Sequence, residues 1–500
     1  MGRRTRHALS WSLVAAVATN VVRLGVVAAL GRLLTPGDFG VVAAAMTLII
    51  FANLLRDFGV GYALVQRAKI EPEHVEAAFT VSVIQGVVLT LIVAAAAAPF
   101  AELMGVPQAT TLLRVLSLLF LVRSCAIVPN CMLQRALRFR ATSMIDVAGY
   151  AVGSVTSVAL AVAGYGPWAL VGGYFVETLT GMVLLVWLSP PPVRLRWHPR
   201  HLRDLLGFGI GQSLATIVNY FAVQGDYLVV GNVLDKVQLG LYQRAYELMR
   251  LPANVFSSVA GSVLFSALSK VQDDPDRLGR VVRRSSFASA LVLLPASVML
   301  IVLAPEMIRI LLGSQWDGAV WPFRVMATTM LFRTTSKLGI LVARSSGDVF
   351  AIAKWQVVYA VAVIGGAAVS VQWGILGVAT TTTVAIVINY VTTTWIGLAR
   401  TTLTVRELAA AHVVPLLIAL AVGGVSWSVA AALRAAGVSY VVVAAASVAA
   451  GGLVFVAFIY AGVRRATGDW PWLRETFVAV FSRSRTRRSK APATTSPPAP

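Results

Sequence analysis

The chain has 500 residues, 58% of them hydrophobic and 13% charged, with mean hydropathy +0.78. Soluble globular chains carry about 25% charged residues, so this composition excludes a water-soluble main body. The formal net charge of +21 does not signal nucleic acid, because the basic residues lie in short segments between apolar runs, with no RNA- or DNA-binding motif around them.

At about 20 apolar residues per crossing, the hydropathy pattern predicts fourteen spans. The first set is Trp11–Leu33, Phe39–Val60, Val75–Phe100, Leu112–Met132, Met144–Ala163 and Trp168–Leu188. The second set is Leu205–Val230, Leu241–Leu268, Phe287–Leu303, Val320–Leu341, Ile352–Val371 and Ile375–Leu398, and a last pair covers Val413–Leu433 and Tyr440–Ala461. The basic start MGRRTRHALSW resembles a signal peptide, but the apolar run continues to Leu33 and thirteen more follow, so an uncleaved first span is expected. Cys125 and Cys131 are six residues apart on one span, a spacing that does not bring them together on a helix and implies neither disulfide nor metal.

Basic residues sort by side. With the N-terminus inside, the cytoplasmic segments hold Arg3, Arg4 and Arg6, then Arg67 and Lys69, then Arg135, Arg138 and Arg140. Arg194, Arg196, Arg200 and Arg203 follow, then Lys270, Arg277, Arg280, Arg283 and Arg284, then Arg344, Arg400, Arg406 and the tail. External loops hold only Arg32, Lys236, Arg309 and Arg434. A multi-pass protein of the cytoplasmic membrane with both termini inside is therefore expected. The external loops are short apart from Pro305–Gly318, which leaves no room for an external catalytic domain. After Arg464, WPWLRETFVAVF reads as an interfacial amphipathic helix, followed by Arg483, Arg485, Arg487, Arg488, Lys490 and a Pro/Ala/Ser/Thr tail of disordered composition.

Two internal matches suggest a repeat. GRLLTPGDFG at Gly31–Gly40 aligns with GNVLDKVQLG at Gly231–Gly240, and RVLSLLFLVR at Arg114–Arg123 aligns with RVMATTMLFR at Arg324–Arg333. Both arginines of the second pair recur. The expected architecture is an all-α membrane protein of two pseudo-symmetric six-helix lobes related by an axis along the membrane normal, plus two C-terminal helices. The corresponding divisions are 1–190, a cytoplasmic linker at 191–204, 205–400, 401–462, and a basic tail at 463–500.

An arginine in hydrocarbon costs about 2.5–3.5 kcal/mol on an insertion scale, so intramembrane cations point to function. Arg23 lies near the middle of the first span, with Asn20 almost one turn before it, and reads as a cavity-facing cation. Arg123 and Arg333 occupy matching positions on the fourth and tenth spans, where substrate binding competes with structural pairing between lobes. Lys337 shares a helix face with Arg333, and two like charges there favour an anion beside them. Asp226, after Asn219 and Gln224 on the seventh span, and Glu177 on the sixth are candidate proton or sodium sites, set against satisfied structural carboxylates. Arg56–Asp57 reads either as an inner gate or, more blandly, as a local ion pair. Arg244, Glu247 and Arg250 are spaced for i,i+3 pairs that stabilise the helix near the outer interface.

His198 and His201 form HxxH without acidic or Cys partners, so no metal is expected, and no lysine follows a glycine, so there is no P-loop. No cofactor is implied.

LLTPGDFGVVA, FANLLRDFGVGYALVQR, LQRALRFRATSMID, LRDLLGFGIG, LGLYQRAYELMRLP, SVLFSALSKVQDD and LAPEMIRILLGSQW occur in that order within about residues 8–400. In these segments the chain resembles the Wzx-type, colanic-acid-exporter-like polysaccharide flippases of the MOP superfamily. The resemblance implies fourteen helices in two facing lobes with a cationic lumen. It also implies transfer of an undecaprenyl-pyrophosphate-linked oligosaccharide between leaflets, with membrane lipids and other polysaccharide-assembly proteins as partners. Three rivals are a lipid II flippase of the MurJ type, a MATE-type exporter with an acidic cleft, and a membrane glycosyltransferase or polymerase. The last would need the external acidic loop that is missing here.

Overall fold

The computed structural model describes residues 22–56, 64–65, 70–191, 210–268, 274–345, 349–464 and 470–472, and in these residues it is all-helical. Residues 22–33 form α1. Then come α2 (Pro36–Arg56), α3 (Pro72–Leu103), α4 (Ala109–Arg135), α5 (Phe139–Val162) and α6 (Pro167–Leu188). They are followed by α7 (Ile210–Val233), α8 (Lys236–Leu268), α9 (Pro275–Val302) and the short α10 (Ala304–Leu311). After a 3₁₀ turn at Ser314–Ala319 the chain forms α11 (Val320–Ala327), α12 (Met330–Ser345), α13 (Val349–Ser370), α14 (Gly374–Leu398), α15 (Val405–Ala435) and α16 (Tyr440–Arg464). Among the described residues nine stretches are long and apolar enough to cross a membrane, one of them spanning both α13 and α14.

The matched turns begin their helices with equivalent caps. Thr35 and Asp38 bond reciprocally, with the Thr35 amide donating to Asp38 at 2.9 Å and the Asp38 amide to Thr35 Oγ1 at 3.2 Å, just before Pro36 opens α2. At the equivalent position, Asp235 accepts from the Gln238 amide at 2.7 Å and starts α8. Each side-chain oxygen satisfies an amide that the first helical turn leaves unpaired.

The tenth predicted span is not one helix. At Thr328 and Thr329 the backbone tightens to three-residue bonds, with amides reaching Val325 and Met326 at 3.3 and 3.0 Å. Both threonine hydroxyls bond those same carbonyls at 2.7 Å. Side-chain capture of the backbone gives the chain an alternative to the α ladder, and two threonines in succession use it. The helix resumes as α12, with Arg333 one turn beyond the break. The loop predicted at 305–318 is also structured, as α10 and the 3₁₀ turn.

Two compact units emerge. One comprises residues up to Val263 together with Leu303–Arg400; the other comprises Leu264–Val302 and everything from Thr401 onward. In the second unit α9 packs along α15, and α15 along α16. Trp470, from the stretch read as an interfacial helix, packs edge-on against Phe287 at 5.6 Å in a cluster with Ile418 and Val422.

In the first unit, small residues permit close helix approach, as expected where lipid supplies no hydrophobic drive. Gly153 and Gly173 bring α5 and α6 together, and a Cβ on either would collide with the opposing backbone. The starts of α2 and α8 cross in the same way. A Cβ on Gly40 would overlap the Lys236 carbonyl, and one on Gly240 the Pro36 carbonyl. These contacts exchange when 200 is added to or subtracted from each number. Nearby, Gly31 lies against Leu312, and Gly231 against Met104. Arg32 donates to the Ile310 carbonyl at 2.7 Å, and Asn232 donates to the Leu103 carbonyl. The helix ends of residues 22–263 and 303–400 are thus stitched together at the end carrying these glycines.

Candidate functional site

Counted from the glycine end at 1.5 Å per residue, the intramembrane charges fall at roughly 10–21 Å: Asp226 nearest, then Arg244, Arg23, Glu177 and Arg333, with Arg123 and Arg250 deepest. A hydrocarbon layer is about 30 Å thick, more than any of these depths.

On the N-terminal helices, the exposed Arg23 side chain stands over the Tyr150 ring at 5.2 Å. Arg123 donates to Asn53 Oδ1 at 3.4 Å, and Asn53 in turn donates to the Ile49 carbonyl at 2.8 Å. Glu177, half-buried on α6, lies within electrostatic range of Arg123, Arg23 and Asp146. The structure therefore brings Arg23, Arg123 and Glu177 into one neighbourhood, although they come from the first, fourth and sixth spans.

A second cluster forms between α7, α8, α12 and α14. Asp226 is buried and accepts the Tyr242 hydroxyl at 2.7 Å and the Tyr227 amide at 3.0 Å. Tyr242 lies 3.5 Å from Thr382 Oγ1. Arg333 bonds the Tyr246 hydroxyl and stands 4.6 Å over that ring, which Arg250 also approaches at 5.6 Å. Tyr227 meets both Tyr242 and Tyr246 edge-on, at 5.5 and 5.6 Å. Arg333 Nη1 is buried and has no hydrogen-bond partner. Asp226 lies within electrostatic range of Arg333 without a direct ion pair, and the guanidinium is held on the ring face instead. Lys337 is exposed on α12, within electrostatic range of Arg333 and Arg250. Gln224 is half-buried on α7, two residues before Asp226 and so on a different face of the helix. Asn20, Asp57, His198 and His201 lie outside the described residues, and Arg56 is the last residue of α2.

Sequence reasoning underrated Arg244. The local pair with Glu247 is present at 2.7 Å. Yet Arg244 is only 9% exposed and lies 4.0 Å over the ring of Phe39 at the start of α2. Arg250, assigned to the same local series, lies over Tyr246 instead. One available signal was depth: Arg244 sits about 12 Å into its helix, too far for simple snorkelling to the near interface. Tyr242 and Tyr246 of the YQRAYE segment hold Asp226 and Arg333 respectively.

An all-α membrane protein with guanidinium groups held on aromatic rings is the class these features define. Residues 29–321 match the family described as "Polysaccharide biosynthesis protein", and the chain belongs to that family. It is 28% identical over 361 residues to the succinoglycan biosynthesis transport protein ExoT of Rhizobium meliloti, covering 72% of this chain and 73% of that one. It is 24% identical over 374 residues to the lipopolysaccharide biosynthesis protein WzxC of Escherichia coli, covering 73% and 75%. Its fold is similar to the solved inward closed conformation of the lipid II flippase MurJ, with TM-score 0.72 at 12% identity over 90% of this chain and 98% of that one.

Proposed function

We propose that the protein carries a polyprenyl-diphosphate-linked oligosaccharide across the cytoplasmic membrane for surface-polysaccharide assembly, by alternating access and without catalysing a covalent reaction. The observation that carries this reading is the placement of Arg23 and Arg333 on aromatic faces, at membrane depth, in a chain of the polysaccharide-biosynthesis family. A planar guanidinium fork matches a diphosphate bidentately, and the glycan needs a polar path through hydrocarbon that it cannot cross unaided. In this reading fourteen helices form two six-helix lobes with an additional C-terminal pair, both termini are cytoplasmic, and the glycine end faces outward. Arg23, Arg123, Arg333 and Lys337, with Asn20 and Gln224, line the diphosphate route. Asp226 or Glu177 supplies ion coupling, and Arg56 with Asp57 closes the inner side.

The fold similarity to MurJ favours one alternative, transport of a lipid-linked peptidoglycan precursor. Both readings use the same diphosphate chemistry. Complementation separates them, because a surface-polysaccharide flippase restores glycan export in a flippase-deficient host without restoring peptidoglycan synthesis. Within the complementing strain, Arg23→Ala is expected to abolish export at unchanged protein level; normal export by that variant refutes the cavity role of Arg23.

A further inference from the structure

Arg244 joins two features that the proposed route leaves separate. On one side its Nη1 pairs with Glu247, whose side chain is 44% exposed, and Tyr174 of α6 lies within electrostatic range of both. On the other side its guanidinium covers the buried Phe39 ring, and Phe39 meets Trp316 edge-on at 5.2 Å. Trp316 is fully buried in the 3₁₀ turn and donates its indole N–H to the Gly31 carbonyl at 2.8 Å. Gln315 donates to that same carbonyl at 2.8 Å and to the Leu34 carbonyl at 3.1 Å. The contacts therefore run from a charged group, through a ring at the start of α2, into the stitches that close the glycine end. Arg244 Nε and Gln243 Oε1 are buried without hydrogen-bond partners, so this stretch of α8 is not saturated.

We infer that Arg244 is a positioning residue that couples anion binding to release of the glycine-end seal; the inference rests on the diphosphate-transport reading. A divalent or higher-charged phosphate near Tyr174 competes with Glu247 for the guanidinium and supplies an acceptor for the orphan Nε. The guanidinium then leaves the Phe39 ring. Phe39 then loses the guanidinium over its face, and the change passes through its edge-on contact to Trp316 and the Trp316–Gly31 hydrogen bond. The arrangement sets a direction: with Arg244 on Phe39 the seal is shut, and with Arg244 on phosphate it is free to part.

The test uses full-length protein in lipid nanodiscs, with Cys125 and Cys131 changed to Ser and spin labels at Leu33→Cys and Val233→Cys, both exposed at the seal. Inorganic pyrophosphate is the probe, with binding read by calorimetry and seal separation by electron-electron distance measurement. In the labelled parent, pyrophosphate is expected to bind and shift the distance distribution to longer values. Glu247→Gln removes the competitor, so the same shift is expected at a several-fold lower concentration. Phe39→Leu leaves both charges in place, so binding is expected to persist while the dependence of the seal on pyrophosphate is lost; Arg244→Lys should retain part of the binding and little of the shift. An unchanged distance response in Phe39→Leu, or pyrophosphate binding to the parent without any shift, overturns the coupling alone. Absence of pyrophosphate binding in the folded parent overturns the transport reading and the coupling with it.

Discussion

Asp226 and Arg333 share one cluster but are not a salt bridge: the carboxylate takes the Tyr242 hydroxyl at 2.7 Å, while the guanidinium rests on Tyr246. The tyrosine pair keeps opposite charges apart inside a low-dielectric site. In the proposed transport cycle each charge then serves a ligand of its own, an anion for Arg333 and a cation or proton for Asp226.

Replacing Arg333 separates charge from shape. Arg333→Lys keeps the charge but loses the planar face over Tyr246, and Arg333→Gln loses the charge. Charge-assisted hydrogen bonds contribute about 1.5–3 kcal/mol, so transport of a diphosphate-linked lipid should fall about ten- to a hundredfold in Arg333→Gln, with Arg333→Lys in between. Initial flipping rates in proteoliposomes, normalised to inserted protein, measure this.

Asp226→Asn keeps an acceptor for Tyr242 and removes the charge. If the carboxylate is the coupling group, the variant should fold normally and flip at a rate that no longer responds to an imposed proton or sodium gradient. Tyr242→Phe, by contrast, strips a buried hydrogen bond and should destabilise the protein by about 1–3 kcal/mol. Denaturant midpoints in detergent, beside gradient-dependent rates, distinguish the two effects.

The glycine crossing gives a symmetric pair of variants. Gly40→Ala and Gly240→Ala each drive a Cβ into an opposing backbone carbonyl and should destabilise by similar amounts, at least the 1–3 kcal/mol typical of overpacking. Gly365→Ala, where nothing lies within 4 Å, should be neutral or stabilising by up to about 1 kcal/mol because alanine favours the helix. Monodisperse yield and thermal midpoint compare all three.

Acid should loosen the segment that carries the seal contacts. Arg309 donates to both Asp317 oxygens at 2.9 and 2.7 Å, and this holds the Asp317 carboxyl below its usual value. The stabilisation is complete above the unfolded carboxylate value of about 3.9 and is lost as pH falls through the lower folded value. Because both side chains are nearly half exposed, the effect is about 0–1 kcal/mol. Asp317→Asn should remove that component of acid sensitivity, measured as the difference between the two proteins' midpoints at pH 5 and pH 3.

Much of the helix order was legible because a span is a composition signal that survives any tertiary context. The GRLLTPGDFG/GNVLDKVQLG match was readable for the same reason, and its caps and glycines occupy equivalent places in the structure. The break at Thr328–Thr329 was hidden, since single threonines are ordinary in apolar helices and only their hydroxyl bonds to Val325 and Met326 reveal the tightening. The second contact of Arg244 was hidden for a related reason. Its i,i+3 pairing with Glu247 is real, and a satisfied local explanation concealed the long-range contact with Phe39. Arg23, Arg123 and Arg333 stood out because each interrupts an apolar run, whereas the tyrosines that orient Asp226 and Arg333 look like ordinary span residues.

The most direct measurement reconstitutes the purified protein with a fluorescent polyprenyl-diphosphate oligosaccharide and follows its arrival in the opposite leaflet by membrane-impermeant quenching. The account predicts protein-dependent movement that the Arg23→Ala/Arg333→Ala double variant, folded and inserted to the same extent, does not support. Movement by that variant at the wild-type rate would contradict the role given to the intramembrane arginines.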